Sequence, residues 1–204
     1  MMIKKFRNFQ AGMTYVELIV VLSIFSVMTS IVLFNYNGFQ SKIDIRVLAN
    51  DIALKIVEAQ KAAISGKLPP KSLIPFVPYV DTWKPSYGVY FDKVNYKDNF
   101  IYFFDFNNDS FYDMAGCSGT EECQDNIFMT KGNFISGLEA VGCPPINNLS
   151  IVFKRPDSGA ILKSNGLLLA CASSVKITIS SADTPPITSN IEVYPSGRIQ
   201  INEN

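Results

Sequence analysis

Oxygen-bearing side chains recur at alternate positions in the segment Asp105-Phe106-Asn107-Asn108-Asp109-Ser110-Phe111-Tyr112-Asp113. Asp105, Asn107, Asp109 and Asp113 supply side-chain oxygens, and Phe111 is spaced to offer its backbone carbonyl. Calcium loops use this spacing because a tight turn aims successive oxygens at one hard cation. Ser110 stands where the turn glycine belongs, and Gly116 where the bidentate glutamate would be. The last carboxylate would then come from Glu121, Glu122 or Asp125. The same residues also suit a polar hairpin turn in which Asp and Asn bond their own backbone. Both alternatives stand on the sequence, and calcium is the one cofactor it suggests.

Four cysteines, Cys117, Cys123, Cys143 and Cys171, follow in the same half of the chain. An even count in a translocated domain favours disulfides, with three possible pairings. Proximity selects Cys117 with Cys123, which leaves Cys143 with Cys171. A zinc site is the rival, but no Cys-x-x-Cys pair supports it. The chain has no histidine. That removes Ser-His and Cys-His nucleophile pairs, histidine bases and histidine metal ligands. No phosphate-loop or dinucleotide glycine pattern occurs either, so the expectation is that the protein is not an enzyme. Eighteen Lys and Arg balance 18 Asp and Glu, so no bulk charge draws it to nucleic acid.

Glu17 is the remaining chemical anomaly, and it lies on the element that mounts the whole chain. Residues 13–34 are almost all apolar, Ser or Thr, with Glu17 their only charge. At ~1.5 Å per residue, such a helix is long enough to cross a bilayer core of ~30 Å. Lys4, Lys5 and Arg7 precede it with no comparable cluster just after, which puts the N-terminus on the cytoplasmic side and the rest across the membrane. The run ends in Phe34-Asn35-Tyr36-Asn37, a poor secretory cleavage site, so the segment is expected to stay attached. A carboxylate in such a helix either favours the positive N-terminal dipole near water or has a partner inside the membrane.

The stretch Gly12-Met13-Thr14-Tyr15-Val16-Glu17-Leu18-Ile19-Val20-Val21-Leu22 resembles the processing motif of type IV pilins and type II secretion pseudopilins. The resemblance implies a cut by prepilin peptidase between Gly12 and Met13, methylation of the new Met13 amine, and Glu17 as the glutamate the family carries at the fifth residue of the mature chain. It further implies an assembly role, in which Glu17 of one subunit neutralises the amine of a neighbour. The physics agrees, since two charges costly in lipid offset each other on assembly. Met13 replaces the commoner phenylalanine, and the anchor lacks the helix-breaking proline of many major pilins. The implied partners are other pilin or pseudopilin subunits, the peptidase and methylase, an inner-membrane assembly platform and membrane lipid.

Beyond residue 36 a second helical pattern begins. Ile45, Leu48, Ile52, Ile56, Ala59 and Ala63 form one apolar stripe, with Asp44, Arg46, Asp51, Lys55, Glu58 and Lys61 mostly opposite. The helix should stop near Ser65-Gly66. β texture predicts strands over 87–92, 100–105, 127–131, 149–154, 175–180, 191–194 and 198–201. Turn residues sit at Pro156-Asp157-Ser158-Gly159 and Pro195-Ser196-Gly197. The expected fold is α+β and pilin-like: a long N-terminal helix packed on an antiparallel sheet. The expected organisation is a leader over 1–12, a membrane and assembly helix over 13–36, its amphipathic continuation over 37–66, and a β-rich head over 67–204. The closing stretch over 191–201 resembles the last hairpin of H-type minor pseudopilins, which implies a minor subunit of a pilus or secretion pseudopilus. The alternative is a minor pilin whose head binds a surface or DNA. Arg198 is the only basic residue of that hairpin, with Gln200 two positions on, and phosphate binding normally needs several cations.

Overall fold

The computed structural model describes residues 12–69, 85–113 and 122–203. One helix, α1, spans Tyr15–Ser65. Thr14 starts it: its Oγ1 accepts the backbone N–H of Glu17 at 3.3 Å, which satisfies one of the donors a helix start leaves open. It stops where expected. Gly66 takes φ +64°, and the N–H groups of Gly66 and Lys67 turn back to the carbonyls of Ala63 and Ala62. That is the left-handed glycine ending, favoured because glycine has no Cβ to clash. By its contacts the chain forms two units, Met1–Gln40 and Ser41–Asn204.

In the first unit, Tyr15–Val32 is long and apolar enough to cross a membrane, and none of it is buried. In the second unit, Ile45, Ala49, Ile52, Ile56, Ala59, Ala62 and Ala63 are buried. The predicted stripe is therefore the core face, widened by Ala49 and Ala62. Alanines at the C-terminal end keep that face flat against its neighbours. At ~25 cal/mol per Å² of apolar surface removed from water, this face is a main source of the unit's stability.

Ten strands follow: β1 Ser86–Asp92, β2 Tyr96–Asp105, β3 Cys123–Phe128, β4 Phe134–Val141, β5 Asn148–Phe153, β6 Ala160–Ser164, β7 Leu167–Leu168, β8 Ser174–Ser180, β9 Thr188–Val193 and β10 Ile199–Glu203. They make two sheets where one was expected, in the orders β3-β2-β1-β5-β6-β7 and β10-β9-β8-β4. All their pairings are antiparallel. The strand expected over 127–131 instead ends at Phe128. Lys131 and Gly132 take φ values of +60° and +74°, which a strand cannot continue. Strands β4, β6 and β7 were not expected.

The main core joins the α1 face to the inner faces of both sheets, with Tyr87, Val89, Phe91 and Phe153 from one and Val175, Ile177, Ile191 and Val193 from the other. A second, smaller core lies among Tyr90, Ile101, Phe103, Tyr112, Cys123 and Val152. Strand β1 is thus buried at every residue. Gly88 is required there: a Cβ would meet the Ile151 carbonyl at 2.7 Å and the Phe103 ring at 2.8 Å.

Candidate functional site

Two places bring the chemically notable residues into definite geometry. The first is the start of α1. Gly12, Met13 and Thr14 precede the helix as exposed, non-helical chain, and Glu17 lies in its first turn, also exposed. Thr14 and Glu17 stand three apart, the spacing of a capping box, and a carboxylate there also suits the helix dipole. The fold accounts for the position of Glu17 at a helix start. It leaves the side chain open to a partner. Residues 1–11, expected to form a leader with Gly12, lie outside the described residues.

The second is the loop after β2. Asp105, fully buried, closes it from one end: Oδ1 accepts the Asp109 N–H at 3.2 Å and Oδ2 the Ser110 N–H at 2.9 Å. Asn107 Oδ1 also accepts the Asp109 N–H, and Asp109 Oδ1 accepts the N–H of Phe111. Asn107 Nδ2 donates to Asp113 Oδ2 at 2.8 Å. Ser110 takes φ +62°, the conformation of the glycine it replaces.

Glu122 is the carboxylate that reaches this loop. Its Oε1 accepts the Phe106 N–H at 2.9 Å and its Oε2 the Asp113 N–H at 3.1 Å, so one side chain fastens both ends. Burial pushes Glu122 up to about 7, with Asp105 and Asp113 adding repulsion against the two N–H bonds. Burial also raises Asp105, again against its backbone bonds. Of the other candidates, Asp125 is exposed on β3, whereas Glu121 and Gly116 lie outside the described residues.

The residues that anchor the loop to the sheet were not expected from the sequence. Tyr112 is fully buried, with its ring 5.1 Å from Tyr90 and 5.2 Å from Phe103, and its N–H donates to Ser150 Oγ. The Lys163 ammonium donates to the Asp109 carbonyl. The loop therefore covers the outer face of the six-stranded sheet. The signal available was its run of aromatics between polar residues.

The oxygen-rich, anionic donor set is of the type calcium takes. Against that, the named oxygens of Asp105, Asn107, Asp109 and Glu122 already hold backbone N–H groups. Among the described residues no group of three or more His, Cys, Asp or Glu side chains is arranged to hold a metal ion. The loop is closed by its own hydrogen bonds, and an ion would have to share those oxygens.

Cys143 and Cys171 form a disulfide with Cα atoms 5.4 Å apart, the expected pair. Cys123 is disulfide-bonded as well. Cys117, its expected partner, lies outside the described residues. Arg198 stacks its guanidinium over the Tyr194 ring at 3.9 Å, so it is engaged within its own hairpin. Gln60 reaches from α1 to the carbonyls of Ser158 and Gly197, tying the helix to both predicted turns. No family model, no curated protein and no solved structure matches this chain.

Proposed function

We propose that this protein is a minor pilin or pseudopilin, cut between Gly12 and Met13, methylated on Met13, and assembled through its first helix into a pilus or secretion pseudopilus. One observation carries the proposal. The apolar half of α1 is entirely unburied within its own chain yet bears a carboxylate, Glu17, in its first turn. Apolar surface on that scale calls for lipid or other helices, and a carboxylate at the lipid boundary calls for a cation. A neighbouring subunit's freed Met13 amine supplies one. In this reading the N-terminus starts in the cytoplasm, the head lies across the cytoplasmic membrane, and the helix leaves lipid for a bundle of like helices. The work is assembly, with no bond made or broken by the chain itself.

Glu17→Ala tests the carboxylate. Expected is loss of filament incorporation with normal membrane insertion and normal head folding; incorporation at the wild-type level contradicts the role. Glu17→Asp separates charge from reach and should retain part of the assembly.

A second reading concerns the 105–113 loop. Asp109 adds repulsion to the raised Asp105, and Asp105 and Asp113 add it to the raised Glu122. Calcium would relieve that repulsion and rigidify the head. Thermal melting with millimolar calcium, against magnesium, is the test. A rise with calcium alone is expected, and an unchanged midpoint contradicts a calcium site.

A further inference from the structure

Outside α1, the most exposed large apolar side chains among the described residues of the second unit gather at one end. Val94 is 58% exposed, Phe128 64%, Leu167 73% and Leu168 61%; Leu68, at 45%, and Val141, at 37%, are less exposed and lie elsewhere. Strand register locates the first four. Asp92 pairs with Tyr96 and with Asn148, so the turn carrying Val94 lies at that end of β1. Asn148 bonds Asn165 through both its side-chain atoms, and Ser164 pairs with Leu167, so the β6–β7 tip lies at the same end. Phe128 closes β3 beside the turn that holds Lys131.

Helix contacts fix which end this is. Lys131 pairs with Asp44, near the point where α1 enters the unit at Ser41. The opposite end meets Gln60 and Lys67, through Ser158, Gly197 and Tyr87. The exposed tips therefore share an end with the entering chain. The helical stretch 33–40 joins Ser41 to the apolar span that ends at Val32.

We infer that this end of the head docks on the headgroup surface of the bilayer that carries its own helix, with Val94, Leu167 and Leu168 dipping into it and Phe128 at the margin. The inference rests on the membrane-anchored reading above. The order of the sheet sets the tips in a row of about 24 Å at ~4.8 Å per strand, with polar residues between them. A protein interface needs a continuous apolar core, which a broken row does not supply. A lipid surface accepts separate tips one at a time. Lys93 and Lys97 flank Val94, and Lys42 lies by the helix entry, against Asp98 and the already paired Asp44. That balance suits anionic headgroups. Tethering makes weak tips sufficient, because a head held within reach binds as an intramolecular partner.

The test uses the full chain in vesicles of brominated phosphatidylcholine with a minor phosphatidylglycerol fraction. Indoles are introduced singly by Leu22→Trp, Leu168→Trp and Lys154→Trp in a Trp83→Phe background with an unchanged melting curve. Lys154 serves as the opposite-end control, being exposed just after β5. Expected is strong quenching at position 22 and several-fold stronger quenching at 168 than at 154. Equal quenching at 168 and 154, with 22 still quenched, overturns the docking and leaves the anchor standing. An unquenched position 22 defeats the anchor reading and the docking with it. A blue-shifted but unquenched indole at 168 also contradicts the proposal, because protein then covers the row.

Discussion

The two halves of α1 are similarly rich in aliphatic residues and are treated oppositely by the fold. Between Ile45 and Ala63 the apolar face disappears into a core shared with both sheets. Between Tyr15 and Val32 nothing is covered, and the apolar residues run right round the helix. A stripe with a polar back is built to meet a sheet on one side. A helix apolar on all sides is built to meet lipid or many helices. The chain itself covers the second half, whereas no described residue covers the first; on the proposed reading, partners outside the chain do.

The largest effect expected is that of a charge placed in the buried half. Ile56→Asp places an unpaired carboxylate in a fully buried site and should cost the head at least about 4 kcal/mol, read by thermal or urea unfolding. Removing the Cys143–Cys171 bridge with paired serines should come next. Its sequence separation of 28 predicts a loss of roughly 3–4 kcal/mol under oxidising conditions, and none under reducing ones.

The pH dependence is smaller and has a definite sign. Glu122 lies at about 7 in the fold against 4.5 in the free group, because burial favours its neutral form. The folded chain then binds more protons than the unfolded chain between those values. Stability from this group is full below about 4.5 and falls as pH rises through about 7, by on the order of 1–3 kcal/mol. Glu122→Gln should flatten that part of the profile; an unaltered slope contradicts the assignment. The smallest effect belongs to the other half of the helix. Leu22→Ala in detergent should move head unfolding by no more than ~0.5 kcal/mol, and a larger shift would mean that the first half helps to fold the second.

The sequence made the helix legible nearly to the residue, since its stripe has one period and its end has a glycine. Strands were legible where apolar alternation is regular, as in β8 and β9. β4 was missed because a bulge between Ile135 and Gly137 breaks the alternation, so that Ile135, Leu138 and Ala140 point inward off the expected period. β3 was displaced because an edge strand of Cys-Gln-Asp-Asn-Ile-Phe carries little apolar pattern. In the 105–113 loop the spacing of oxygens was readable, and Glu122 was among the carboxylates foreseen. The burial of Tyr112 was not, because it depends on the outer face of a sheet whose strands come from distant parts of the chain.

The start of the mature chain decides whether this protein is processed as proposed. Intact-mass and N-terminal peptide mapping of the protein recovered from membranes of cells that carry a prepilin peptidase measures this directly. Expected is a chain that starts at Met13 with a methylated amine and keeps the whole of α1. A chain that still starts at Met1, or that is cut after the apolar segment, would contradict it.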